Sequence, residues 1–587
     1  MDATTSVSGK GLQVGVVGAG VAGLSAAIAL RRIGHSVEVF ERSEFKNENG
    51  AAVSITPNGG RILERWGFDS IKAGGIENIQ VSHPTIFLGC LHGAPFKSSH
   101  VWGTLDSGLK PQQVRRPKGD TLEPMAPTLS FANVEQQYGN KWYFYHRVDM
   151  HRQLREMAEA FGSTIRLGAQ VMDVDPETGM IHLKDGSQIQ KDLVIIADGQ
   201  HDRLNAKITG QEVPMKRSGQ TAYRCLIPLK DILEDEETRP FFKGQAPGFW
   251  APALPAKGVM AVTYPCRNNE ILNVLAVHRK LGQHATSEDD VVIDDWNFPA
   301  THEDLEHVLD GFHPSVKKMF LKSPEVKVYT QMKRDPLSKM TKGKALLIGD
   351  ACHPMLLTHA QGVSSSIEDA ATLEVFLADV PASGDVSATP SEKLLQRLEQ
   401  YEKFRLPRVS ATQILTNPIV PGPQAAAKHA EQEAEIRKYY SGPLPATGAM
   451  PHSPPICQFF FGYDVEKEGK AFIKSLEHQE TTGPEVAGEE EVVEPTPQPE
   501  EAIVKVESVA PIINGVQKTQ VVEKPAPVQE ASVTTMEQRV LDLERKLADM
   551  EKKLSAMAIH VSTMEVQLTP PQSPPAQVET QPLIFSS

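Results

Sequence analysis

Apolar positions along the chain first fall into order at Val14. Val14, Gly15, Val16 and Val17 make a short unbroken apolar run, the pattern of a strand buried on both faces. Leu24, Ala27, Ile28 and Leu30 follow at helical spacing, and Gly34 is a natural stop. Ser36–Phe40 reads as a second strand running into Glu41. Residues 49–58 read as a loop and short strand, and 59–66 as a helix. Residues 143–157 pass from an aromatic-rich strand into a helix, with Arg147 at the junction and Asp149 near the helix start. Residues 165–174, 181–184 and 193–197 predict successive strands, the last almost wholly apolar. Strands are predicted again over 221–228, 260–266, 271–277 and 344–348, then helices over 364–377 and 394–410.

Elsewhere the pattern weakens. Residues 80–140 carry scattered Pro, Gly and Ser with poor periodicity, and 411–455 are rich in Pro and Ala. Residues 478–530 are dominated by Glu, Pro, Val, Thr and Gln with almost no aromatics, which predicts a disordered acidic linker. Met536, Val540, Leu543, Leu547, Met550, Leu554, Met557, Val561 and Met564 then alternate at spacings of four and three, with charged residues between. That predicts a coiled coil over 533–567, through which copies of the chain would self-associate. A single amphipathic helix docked on its own domain is the alternative. Residues 568–587 again predict disorder.

At 587 residues the chain exceeds what one hydrophobic core normally holds, so two interleaved domains with extra segments are expected. A formal charge of −14 argues against a nucleic-acid binder, although much of the acid lies in the tail. Cys90, Cys225, Cys266, Cys352 and Cys457 form no C-x-x-C pair, and their spacing suggests neither disulfides nor zinc. A reducing, cytoplasmic compartment is expected. Residues 1–12 lack the apolar core of a secretory signal, and no run of eighteen apolar residues predicts a membrane span.

Gly18-Ala19-Gly20-Val21-Ala22-Gly23 lies between the first strand and the first helix. Gly18 allows the tight turn. Gly20 lets a pyrophosphate approach the backbone at the helix N-terminus, and Gly23 lets helix and strand pack closely. Glu41 stands where an acid accepts hydrogen bonds from a ribose diol and would repel a 2′-phosphate. The pattern predicts an adenine dinucleotide; the bland alternative is a glycine-rich turn without a ligand. Asp198-Gly199 follows a buried strand, where open α/β sheets bind ligands, or where an ordinary β-turn forms. Gly349-Asp350 also ends a strand, and Ala360-Gln361-Gly362-Val363 leads into a helix. An Asp at a strand end suits a ribityl hydroxyl, and N–H groups near Gly362 suit a pyrophosphate or a flavin carbonyl.

Arg147 either pairs with Asp149 at the surface or reaches a flavin or its phosphates. Arg224 and Tyr264 interrupt apolar strands. A buried arginine must be paired or line a cavity, whereas a core tyrosine needs only a partner for its hydroxyl. His353 and His359 do not read as a metal pair, since no third ligand is apparent.

Taken in order, GAGVAG with Glu41, DLVIIADGQHDR over 192–203, and GDACHPM over 349–355 with AQG before a helix resemble the flavin-dependent aromatic hydroxylases. The likeness is greatest to salicylate-hydroxylase-like fungal monooxygenases. It spans residues 12–470, including FFFGYD over 459–464. The resemblance implies an α/β fold, with a Rossmann-type FAD-binding domain (12–80, 141–215 and 336–410) interleaved with a β-sheet substrate domain (81–140 and 216–335). Residues 411–477 would extend the core. Matching positions imply roles: Glu41 at the adenosine ribose, Ala52 in the small-residue loop beside the flavin, Arg147 on FAD, Asp350 at the ribityl chain, Gly362 and Val363 at the isoalloxazine. Arg224 and Tyr264 resemble active-site residues of fungal members. The chain departs from the family pattern at Ala52, where glycine is usual, at Val363, where alanine or glycine is common, and at His359, where arginine is frequent.

The implied activity uses FAD, with NAD(P)H as a transient reductant, since one full dinucleotide fingerprint exists. Reduced flavin and O₂ would form a C4a-hydroperoxide that delivers one oxygen atom to a small aromatic or polyketide-like substrate, a reaction type of secondary metabolism. Arg224 would hold a phenolate or carboxylate, and Tyr264 would position or ionise a substrate hydroxyl. Epoxidation, Baeyer–Villiger oxidation and dearomatising hydroxylation stay open on the same fold. So do an FAD-binding scaffold that recruits partners through the coiled coil, and a plain NAD-dependent dehydrogenase, which the Gly349-Asp350 element speaks against.

Overall fold

The computed structural model describes residues 11–45, 50–78, 80–81, 118–123, 129–200, 204–243, 247–279, 298–381, 391–419 and 423–482. The coiled coil expected over 533–567, residues 483–530 and 568–587, and most of 82–128 lie outside the described residues.

Strand β1 (Gln13–Val17) turns into helix α1 (Val21–Arg32), and β2 (Ser36–Phe40) returns beside β1. Strands β3 (Ala52–Ile55) and β4 (Tyr143–His146) pair antiparallel, and β4 runs directly into α2 (Arg147–Ala160). Strand β5 (Leu193–Ile196) lies on the other side of β1. The complete sheet is six-stranded, in the order Thr341–Lys342, Ala345–Leu347, β5, β1, β2, Thr164–Arg166. All neighbours are parallel except the first pair. Every residue of β5 is buried, because both faces of the sheet are covered. Val16 packs toward α1, which is itself buried from Gly23 to Leu30. On the opposite face Gly15 makes room for Ile181, whose Cδ1 lies 2.6 Å from where a Cβ would stand. Ile181 belongs to a three-stranded antiparallel meander (Val171–Asp175, Met180–Leu183, Gln188–Gln190).

The run 165–174, expected as one strand, is therefore two. Thr164–Arg166 closes the parallel sheet, Gly168 turns at φ +68°, and Val171–Asp175 starts the meander.

Between β5 and the last parallel strand the chain builds a second six-stranded sheet, antiparallel throughout. Its middle holds β6 (Lys216–Pro228), β7 (Val259–Cys266) and β8 (Ile271–Arg279), with β8 between the other two. One face, with Cys225, Ile227, Leu272 and Val274, packs on Leu305, Val316, Met319 and Phe320 of two helices. Alternation sends Arg224, Asn273 and Tyr264 to the other face. Gln80–Val81 pairs with Gly248–Phe249 and Leu129–Ser130, which ties part of the irregular region to this side of the molecule.

The chain returns to the parallel sheet with β9 (Ala345–Leu347), followed by α3 (Gly362–Phe376) and α4 (Glu392–Leu415). Helix α1 packs against both α2 and α3. Helix α4 continues five residues beyond the expected end at 410. Residues 478–482, expected to open the acidic linker, instead finish a helix, Val465–Thr482. Its Phe472 docks on Phe404 and Phe376, with ring centroids 5.5 and 6.3 Å apart, and that apolar anchor extends the fold.

Candidate active site

The carboxyl ends of β1, β5 and β9 lie side by side, and the turns leaving them meet. Gly18 adopts φ +98°, and a Cβ there would fall 2.5 Å from the Ala197 carbonyl oxygen. Gly349, at φ +60°, presses on Ala22, whose Cβ lies 2.6 Å from the position of a Gly349 Cβ. A side chain on Gly23 would overlap the Gly18 carbonyl oxygen. In contrast, no atom lies within 4 Å of a Cβ placed on Gly20, which caps α1, or on Gly362, which opens α3. Two helix N-termini, with their outward N–H groups, therefore face open space.

Glu41 braces the first turn. Its Oε2 accepts the Ala19 N–H at 2.8 Å and its Oε1 the Ser43 N–H at 2.7 Å. Asp198, half-buried, lies against Gly18 in the neighbouring turn, and Arg203 falls outside the described residues. Asp350 follows Gly349. Its side chain is accessible, yet protein crowds it closely enough for desolvation to push its carboxyl upward, against the pull of His353, Arg147 and Arg334. An accessible carboxyl with that much protein around it lies in a cleft between the turns that leave β1, β5 and β9.

The opposite wall comes from β3, α2 and the antiparallel sheet. The Arg147 N–H donates to the Ala51 carbonyl at 2.8 Å, and Ala52 pairs with His146. Asp149 is gripped by Arg267 at 2.7 and 3.1 Å, with Arg152 and His146 at 3.4 and 3.6 Å. Its ion pairs are thus with residues other than Arg147. The Arg147 side chain is exposed, and its charge acts on both Asp350 and Arg224. Arg224 is only 6% exposed; burial lowers its pKa and the Arg147 charge lowers it further.

Tyr264 and Asn273 join the antiparallel sheet to the Ala52 loop. The Tyr264 hydroxyl donates to the Ala52 carbonyl at 3.2 Å, and the Ala52 N–H reaches Asn273 Oδ1 at 3.4 Å. Tyr264 is packed between Phe144 and Phe249, with centroids 4.6 and 5.0 Å away, and burial drives its pKa up. An ionising role expected of Tyr264 meets an obstacle here: its proton is committed to Ala52, and the phenol resists losing it.

Val363 is half-buried in the first turn of α3 and packs on the main core. The two histidines part company. His353 Nε2 faces Asp369 at 2.6 Å, whereas His359 is buried beside Phe460 and His452, which lowers its pKa to about 4. Asn273, Arg267 and Asp369 were not singled out from the sequence. Asn273 carried the same signal as Arg224, a polar residue inside an apolar strand. Arg267 heads an Arg-Asn-Asn turn in which all three residues have positive φ, a conformation Asn tolerates better than most residues.

The FAD-binding-domain family matches residues 11–413. The FAD-dependent monooxygenase cfoG of Aspergillus candidus is 32% identical over 441 residues, 74% of this chain and 89% of that protein. The chain belongs to the FAD-dependent aromatic hydroxylases. This monooxygenase is also 25% identical over 480 residues to hispidin-3-hydroxylase of Neonothopanus nambi, covering 79% of one and 97% of the other. A salicylate hydroxylase substrate complex has the same fold, with a TM-score of 0.55 at 18% identity over 79% of the monooxygenase and 98% of that chain. FAD is the cofactor, and the enzyme is an oxidoreductase. Among the described residues no helix is long and apolar enough to cross a membrane.

Proposed function

We propose that the enzyme uses NAD(P)H and O₂ to insert one oxygen atom into a small aromatic or polyketide-like substrate that carries a phenolate or carboxylate. FAD supplies the oxygen activation when bound. The cleft fits that group: two open helix N-termini suit its pyrophosphate and a flavin carbonyl, and Asp350 suits a ribityl hydroxyl. Glu41 would hold the adenosine ribose, Ala52 and Arg147 would contact the flavin, and Gly362 and Val363 would lie at its ring. The nicotinamide cofactor docks transiently.

Arg224 carries the substrate reading. A guanidinium at 6% exposure, on the sheet face that meets the Ala52 loop, supports this reading, in which it would bind an anionic substrate group. By favouring the ionised form of a phenol, whose proton passes to water, it would keep the ring electron-rich. Tyr264 serves as a joint between the sheet and the flavin loop. The names hispidin-3-hydroxylase and salicylate hydroxylase both record a hydroxylation, in line with this reading.

The test is direct. Purified protein should be yellow, and a panel of phenols and aromatic acids should include members that speed NAD(P)H oxidation and gain one oxygen by mass. Arg224→Ala should keep bound FAD and lose product formation by about a hundredfold or more. Normal turnover in that variant would remove the assignment.

A further inference from the structure

We infer that Asp369 is a positioning residue for the cofactor, because its carboxylate sets the turn from which Asp350 projects. Oδ2 accepts the Gly349 N–H at 2.9 Å and faces His353 Nε2 at 2.6 Å. One oxygen thus holds both ends of the turn 349–353, with Asp350 between them. Oδ1 accepts Arg405 Nε at 2.7 Å. Asp369 and Arg405 are each 0% exposed. Burial alone would raise the Asp369 carboxyl, but His353, Arg405 and the Gly349 N–H outweigh it and hold it below the usual range. It is therefore an ionised group that only accepts hydrogen bonds.

The support behind it is equally fixed. Arg405 also meets Glu368 at 2.8 Å and donates to the Ser365 carbonyl at 2.9 Å, so α3 and α4 are pinned together beneath the turn. From above, Gly349 is pressed on Ala22 at the start of α1. The turn has no slack: Asp369 fixes its backbone, and the backbone aims Asp350 into the cleft.

The inference rests on the reading that Asp350 faces FAD, and its test separates the two. FAD affinity would be measured by equilibrium titration of the full-length protein for D350N, D369N and the double variant, alongside thermal unfolding. Each single change should weaken FAD binding by about tenfold or more: the amide of D369N keeps one acceptor oxygen where Gly349 N–H and Arg405 Nε use two, and the amide of D350N offers the ligand a neutral acceptor in place of a charged one. The double variant should bind FAD no worse than about twofold below D350N alone, since Asp369 acts through Asp350. Losses that multiply in the double variant would overturn the inference and make Asp369 a general packing residue. Unchanged affinity in D350N alone would remove the Asp350 reading, and this inference with it. If D369N does not fold, H353N releases one end of the turn while leaving the Asp369–Arg405 pair. It should show the same non-additivity with D350N, and multiplied losses there would count equally against the proposal.

Discussion

Replacing Tyr264 by Phe removes one oxygen and leaves the ring. The ring keeps its neighbours, Phe144 and Phe249, at 4.6 and 5.0 Å between centroids, so packing is almost untouched. What disappears is the bond to the Ala52 carbonyl, 3.2 Å long and at a side chain 9% exposed. A neutral hydrogen bond contributes about 1 kcal/mol net, and a buried carbonyl left without its donor costs ~1–3 kcal/mol. The Ala52 N–H still reaches Asn273, so the loop is loosened rather than freed. The expected loss is roughly 1–2 kcal/mol, seen as a fall of a few degrees in Tm. Spread over ground and transition states, the same loosening should reduce kcat/KM by no more than about tenfold, with the pH–rate profile unmoved. The assay is thermal unfolding of the holoenzyme together with kcat/KM measured across pH. A drop of ~10²–10⁴ with a displaced pH limb and unchanged Tm would refute the reasoning, because it would mean that Tyr264 moves a proton in the reaction.

The second and third glycines of the fingerprint should fail differently. Gly20→Ala meets no atom and should leave the stability of FAD-free protein within about 1 kcal/mol, while weakening FAD binding by titration. Gly23→Ala collides with the Gly18 carbonyl and should lower Tm and FAD retention together; equal behaviour of the two variants would contradict the geometry. His359 makes a pH prediction. Its pKa is about 4 when folded against an ordinary 6.5, so the unfolded chain binds the extra proton between those values. Its contribution is complete above about pH 6.5 and is lost as pH falls toward 4. His359→Asn should flatten the fall in Tm between about pH 6.5 and 5, and an unchanged slope would show that His359 is not the group responsible.

The dinucleotide turn was legible in the sequence because its demands are local. A strand, a tight turn and a helix within a dozen residues leave glycine as the residue able to adopt φ +98° at position 18 and to admit the Gly18 carbonyl at position 23. The same logic exposed Gly349, Asp350 and Gly362, and the apolar run of β5 announced a strand covered on both faces. Local pattern failed where chain direction changed without a strong break. The turn at Gly168 divides residues 165–174 between two sheets, and the amphipathic face bearing Phe472 carries the helix Val465–Thr482 past the expected boundary at 477.

Tertiary structure alone decided what the polar residues of the second sheet do. Sequence marks Arg224 and Tyr264 as polar within apolar strands, but strand register determines which face each shares and with whom. Tyr264 meets Ala52 across 212 residues of chain, and Arg405 meets Asp369 across 36. A hydrogen bond between distant segments leaves no periodic trace in either of them. Backbone conformation constrains the residue that adopts it, so turns can be read from the chain; a partnership depends on where two segments are brought by everything that folds between them.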